Sequence, residues 1–181
     1  MSTAVADISK QIYELKQELA KARKDSAPEP VEDYTFVGDA GEVKLSEMFG
    51  DKSELLLVHN MGKSCNYCTL WADGLTAMYP HLSRRCAFVL VSPDEPSVRQ
   101  AFAAERGWNY PTFTDADNRF TDDMGFVHDG HVQPGVSAFH KNSDGSIVRT
   151  GSDMFGPGDD YCSVWPLMDL LHGGADGWEP R

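Results

Sequence analysis

Leu55-Leu56-Leu57-Val58-His59-Asn60-Met61-Gly62-Lys63-Ser64-Cys65-Asn66-Tyr67-Cys68-Thr69 decides the fold. Leu55 to His59 reads as an apolar strand entering a core, as in a parallel or mixed sheet covered on both faces. Trp71 to Leu82, marked by Leu75, Met78 and Leu82, reads as a helix. A Cys-x-x-Cys pair therefore sits at a strand-to-helix junction. The free N–H groups of a helix's first turn carry partial positive charge and favour a thiolate over a thiol. Two intervening residues let the second sulfur close on the first in a small ring.

Downstream, Ala87-Phe88-Val89-Leu90-Val91 is a second buried strand. Ser97 to Arg106 is a helix with Ser97 as N-cap, stopped by Gly107. Pro111-Thr112-Phe113-Thr114 and the Asp/Asn-rich stretch after it read as loop, with a short turn over Phe120–Met124. Gly135–His140 and Ile147–Thr150 flank Asn142-Ser143-Asp144-Gly145, a hairpin signal. After the loop Gly156-Pro157-Gly158, Asp159 or Asp160 caps a last helix carrying Tyr161, Val164, Trp165, Leu167, Met168 and Leu171. Gly173-Gly174 ends it.

Upstream, Tyr34–Val37 and Glu42–Leu45 form two strands around the turn Gly38-Asp39-Ala40-Gly41, and Ser46–Phe49 is a helical turn. Ile8, Ile12, Leu15, Leu19 and Ala22 make one apolar helical stripe. The stripe predicts a helix lying on its own domain, with a homodimer seam as the alternative; periodicity does not separate the two. Ser26-Ala27-Pro28-Glu29-Pro30 reads as a linker. The organisation expected is an amphipathic helix and linker over 1–30 and one α/β domain over 31–181.

The chain has 181 residues, four cysteines, 41% hydrophobic residues and a net charge of −12. A pI of about 4.8 opposes non-specific binding to nucleic acid and to anionic membrane surfaces. No apolar run is long enough to span a bilayer, and Asp7, Lys10, Glu14, Lys16 and Glu18 interrupt any signal-peptide core near the start. The default setting is a reducing cytoplasm, where a close cysteine pair implies redox or metal chemistry and not a disulfide framework. A zinc site would need Cys86, His59 or His81 to complete it, at a spacing that matches no common zinc module. Asp115-Ala116-Asp117-Asn118 begins like a calcium loop but has Phe120 where glycine is required. No Gly-rich phosphate cradle is present, so no organic cofactor is expected.

With the pair placed after a buried strand, the chain resembles the thioredoxin-like superfamily from about Tyr34 to Leu171. Gly107-Trp108-Asn109-Tyr110-Pro111 is similar to the G-x-x-[FY]-P of peroxiredoxin-like chains of the AhpC/TSA group. Tyr34-Thr35-Phe36, Leu45–Phe49, Trp71-Ala72-Asp73, Pro80-His81-Leu82 and Gly135–Phe139 resemble the bacterial family of unknown function 899, described as predicted dithiol-disulfide oxidoreductases. The resemblance implies a three-layer α/β/α thioredoxin-like sandwich with an N-terminal helical extension. It also implies a cis-proline beside the cysteines, at Pro134. There are departures. Ser64 stands where thioredoxins place Trp, and Trp71 comes later, inside the helix. The peroxiredoxin motif P-x-x-x-[ST]-x-x-C, set on Cys68, would need Pro at Met61 and Ser or Thr at Cys65.

The expected activity is thiol-disulfide exchange, with Cys65 as nucleophile and Cys68 resolving the mixed disulfide. The partners expected are a protein or small-molecule disulfide and a cellular thiol reductant. The alternatives are a thiol peroxidase passing through a sulfenic acid and a catalytically silent interaction module. Lys63 would add positive charge near Cys65. His59 would either relay a proton or pack as a hydrogen-bonded core residue. Cys162 is either a third redox thiol or a small buried residue, and Cys86 reads as core.

Overall fold

A computed structural model describes residues 3–181; Met1 and Ser2 lie outside the described residues. The strands are β1 (Glu29–Val31), β2 (Thr35–Gly38), β3 (Gly41–Lys44), β4 (Glu54–His59), β5 (Ala87–Ser92), β6 (Thr112–Thr114), β7 (Val127–His128), β8 (His131–Val132), β9 (Gly135–Lys141) and β10 (Ile147–Met154). The helices are α1 (Thr3–Asp25), α2 (Asn66–Leu82), α3 (Pro96–Arg106), α4 (Arg119–Asp123) and α5 (Val164–Met168), with a 3₁₀ turn at Leu45–Glu47. Eight strands form one mixed sheet in the order β1-β10-β9-β4-β5-β6-β2-β3. β4, β5 and β6 are parallel, and α2 and α3 are their crossovers. β9 runs antiparallel to β4, so Gly135 lies beside His59 at the end of the strand that leads into the cysteines.

Every residue of β4 is apolar except its two ends, as a strand covered on both faces requires. Leu55 and Leu57 join Val89, Val91, Phe36, Phe120 and Phe139 on one face. Val58 joins Phe88 and Leu90 on the other, under Trp71, Ala72 and Leu75 of α2. This is a thioredoxin-like layered α/β fold. No helix among the described residues is long and apolar enough to cross a membrane.

Several elements differ from the sequence expectation. Part of the stretch read as linker is the edge strand β1, paired with β10. Pro30 is tolerated because an edge strand has one row of free backbone groups. Thr112–Thr114, read as loop, is strand β6. Ser97 is not the N-cap of α3; Glu95 holds that position and Pro96 begins the helix, where its missing N–H costs nothing. Gly107 does close α3 in the left-handed conformation at φ 69°. The last helix is only Val164–Met168; Asp159 accepts N–H bonds from Tyr161 and Cys162 in the loop before it. All peptide bonds among the described residues are trans, so Pro134 is not the cis-proline that the resemblance implied. α1 touches its own domain through polar side chains, Lys16 to Asp160 and Arg23 to Asp153, and has no buried residue, so its apolar stripe stays exposed.

Gly135 is fixed by a close approach. A Cβ there would come within 2.2 Å of the Phe126 ring and 2.5 Å of the Asp153 carbonyl oxygen. Gly135→Ala is expected to destabilise the protein by ~2 kcal/mol or more through overpacking, read as a lower urea midpoint with an unchanged slope.

Candidate active site

β4 and β5 are parallel neighbours, so their C-terminal ends lie side by side, the usual place for a site in a parallel sheet. Asn60, the residue after β4, is 4% exposed. Its N–H extends the ladder to the Val91 carbonyl at 2.9 Å, and its side-chain oxygen accepts from Gly62 N–H at 2.7 Å. Gly62 has φ 97°, a conformation suited to glycine, and lies against Asp94, whose carboxylate would be 2.7 Å from any Cβ placed there. The same carboxylate accepts from Lys63 N–H at 2.8 Å. A turn bond from Cys65 N–H to the Gly62 carbonyl, at 3.1 Å, then delivers Cys65 to the head of α2.

Cys65 is the N-cap of α2, with extended backbone at φ −94° and ψ 102°. Its Sγ accepts from Cys68 N–H at 3.1 Å, the place a Ser or Asp oxygen fills in other helices. Its carbonyl accepts from both the N–H and the hydroxyl of Thr69, at 3.0 and 3.1 Å. All four cysteines are free thiols. Cys65 is half-buried, while Cys68 is 2% exposed. Hydrogen bonding by the Cys68 thiol, assisted by the N–H groups of Cys68 and Tyr67, lowers the Cys65 pKa to about 6 against an opposing effect of burial. The Cys68 thiol moves the other way. Its proton is held by Cys65, and burial adds to the rise, against a stabilising N–H from Met61. The two thiols at this helix N-terminus are thus shifted in opposite directions, the half-buried one down and the buried one up.

The other predicted residues fall elsewhere. Lys63 places its ammonium 5.6 Å from the centre of the Phe102 ring, and the groups that lower the Cys65 pKa do not include it. Ser64 is exposed in the turn. Trp71 is core: it is 3% exposed and its ring lies 5.4 Å from Phe155 and 6.3 Å from Trp165. Cys162 packs in that same cluster, and burial pushes its thiol up. Pro134 stays at this end of the sheet, its carbonyl accepting from Phe155 N–H at 2.9 Å. His59 does not face the thiols. Strand alternation sends it to the sheet face opposite α2, where it stacks on Phe126 at 3.8 Å and bonds Ser137 Oγ through Nε2 at 2.9 Å. Among the described residues no three His, Cys, Asp or Glu side chains gather to hold a metal ion.

Asn60 and Asp94 are the loop-fixing residues that the sequence reading missed. The available signal was position: each follows the end of a buried parallel strand by one or two residues.

The chain belongs to a bacterial protein family of unknown function, DUF899, whose model matches residues 6–177. No curated protein matches it. Among solved structures it is similar to reduced Prx3 from Vibrio vulnificus in complex with hydrogen peroxide, at 16% identity and TM-score 0.60, covering 74% of this chain and 90% of that one. It is similar to AhpC from Enterococcus faecalis at 17% identity and TM-score 0.59, covering 73% and 82%. The peroxidoxin BcpB from Mycobacterium tuberculosis matches at 21% identity and TM-score 0.54, covering 66% and 80%. These likenesses establish the fold.

Burial without a charge partner lowers the His59 pKa to about 3, with Arg149 contributing. The unfolded chain binds this proton near pH 6.5 and the folded chain does not, so stability is full above pH 6.5 and falls as pH drops toward 3. The His59→Phe variant should lose less stability over that window, by roughly 1.4 kcal/mol per pH unit in denaturant titrations at pH 6.5, 5.5 and 4.5. Parallel curves for wild type and variant would contradict this.

Proposed function

We propose that the protein is a thiol-disulfide oxidoreductase in which Cys65 attacks and Cys68 resolves. The observation that carries this reading is the asymmetry of the pair: a half-buried sulfur that caps α2, accepting from Cys68 N–H at 3.1 Å, beside a buried thiol, with their pKa values shifted in opposite directions. The Cys65 thiolate attacks one sulfur of a substrate disulfide. A mixed disulfide forms, and the other substrate sulfur leaves as a thiolate that takes a proton from solvent. The negative charge on Cys65 is now gone, and with it the main cause of the high Cys68 pKa. Cys68 loses its proton to solvent, with the Met61 N–H supporting the anion, and attacks Cys65 Sγ, breaking the mixed disulfide so that the second substrate sulfur leaves as a thiolate that solvent protonates. The second substrate thiol is released reduced, and the Cys65–Cys68 disulfide remains. A cellular dithiol supplies two electrons to reset it. Asn60, Gly62 and Asp94 hold the loop while this happens.

The peroxiredoxin-like fold favours a second reading, in which the Cys65 thiolate attacks a hydroperoxide oxygen, becomes a sulfenic acid and condenses with Cys68 to a disulfide and water. Insulin-disulfide reduction and peroxide consumption, each coupled to dithiothreitol, separate the two.

The iodoacetamide rate of the reduced protein should titrate with a midpoint near pH 6, well below an ordinary thiol. A midpoint near 8.5 would remove the basis of the assignment. Cys65→Ser should abolish turnover in either assay. Cys68→Ser should retain the first attack and accumulate a mixed disulfide, visible as a mass increase that dithiothreitol reverses.

A further inference from the structure

We propose that the protein is a two-fold dimer in which helix α1 of each copy lies in an apolar groove of the other. The groove has a volume of about 740 Å³ and lies on the α2 side of the sheet. Leu56 and Val58 of β4 and Val136 and Ala138 of β9 line it, with Leu75 and Met78 of α2. Its far lip is β10, from Thr150 to Asp153. One end is bordered by Arg23, Lys24, Ser26 and Pro28, where α1 leaves the body.

The same chain carries a matching apolar ridge that is not covered. Ile8, Ile12, Leu15 and Leu19 are 56%, 48%, 63% and 47% exposed, and α1 buries no residue. Helices in proteins owe most of their stability to packing of an amphipathic face, which α1 lacks within its own chain. Its ties to the body are polar: Lys16 bonds Asp160 at 2.6 Å and Arg23 pairs with Asp153. Lys16 and Arg23 follow Ile12 and Leu19 by four residues, so these contacts hold one flank of the stripe toward the body, yet the apolar side chains stay exposed. The groove floor and the stripe are therefore both unfilled in one copy.

A second copy satisfies both at once. The groove takes the partner's stripe and the stripe takes the partner's groove, the self-complementary arrangement of a two-fold interface. Charge agrees. α1 carries five basic residues (Lys10, Lys16, Lys21, Arg23, Lys24) against four acidic ones (Asp7, Glu14, Glu18, Asp25), so the whole negative excess of the chain lies on the body that receives it. Area agrees too. A helix of 23 residues is about 35 Å long, and two docked reciprocally bring the contact toward the ~1,600 Å² of a standard specific interface. Neither Cys65 nor Cys68 takes part in this contact.

Sedimentation velocity on the full reduced chain tests it, so that Cys65 cannot cross-link copies. The expected mass is twice the 20.0 kDa of one chain. Ile12→Glu/Leu19→Glu alters the stripe, and Met78→Lys/Thr150→Lys alters the two groove lips. All four positions are exposed, so each variant should keep the near-UV circular dichroism of a folded body when measured alongside. Each variant alone should sediment as a monomer. An equimolar mixture should associate more than either variant alone and less than wild type, because one of the two reciprocal contacts is restored. A monomeric wild type overturns the proposal. So does a groove variant that stays dimeric, which would mean that the stripes pair with each other, and so does a mixture that associates no more than either variant alone.

Discussion

The hydrogen bond from Cys68 N–H to Cys65 Sγ is the contact on which the site depends. It makes a cysteine the N-cap of α2, so the helix's uncompensated N–H groups converge on a sulfur. Anion stabilisation at a helix N-terminus is strongest when the group occupies the cap itself, because the effect fades within a turn. The rest of the site serves that placement. The β4–β5 pairing sets the height at which the chain leaves the sheet. Asn60 and Asp94 grip Gly62 and Lys63 from two strands, and the turn between them ends at Cys65. Lys63 supplies a backbone N–H to this framework and sends its charge away to Phe102.

Much of this was legible in the chain. Leu55–His59 announces a strand because it is apolar, and Cys65-Asn66-Tyr67-Cys68 announces the junction. Gly107 and Asn142–Gly145 announce a helix stop and a hairpin. The failures have physical causes. A strand buried on both faces shows no alternation, so the sequence alone does not say which side His59 takes. Three residues are too few to show a period, which hid Glu29–Val31 and Thr112–Thr114. The apolar run Val164–Leu171 resembles a longer helix, yet Leu167, Leu170 and Leu171 are exposed and the helix stops at Met168. His128-Asp129-Gly130-His131 carried an unused signal: Asp129 and Gly130 both have positive φ, the requirement of a two-residue hairpin turn between β7 and β8.

The fold and the site do not speak with equal force. The sheet and its crossovers are shared with peroxiredoxins at 16–21% identity, and a scaffold at that distance carries many chemistries. What is particular to this chain is the sulfur pair. The threonine or serine of the peroxiredoxin motif is replaced by Cys65, so that position is itself the sulfur that caps α2.

In the proposed exchange, that replacement also orders the two steps. While Cys65 is a thiolate, Cys68 is locked as a thiol by the proton between them and by burial. A buried sulfur of this kind is a poor nucleophile toward anything in solution. Converting Cys65 to a mixed disulfide removes the negative charge and the hydrogen-bond acceptor together. Of the causes that raised the Cys68 pKa, burial alone then remains, opposed by the Met61 N–H. The sulfur that becomes nucleophilic at that moment is the one adjacent to the bond it must break. In the proposed exchange the order of attack and release thus follows from two neighbouring sulfurs of different exposure whose pKa values are shifted in opposite directions.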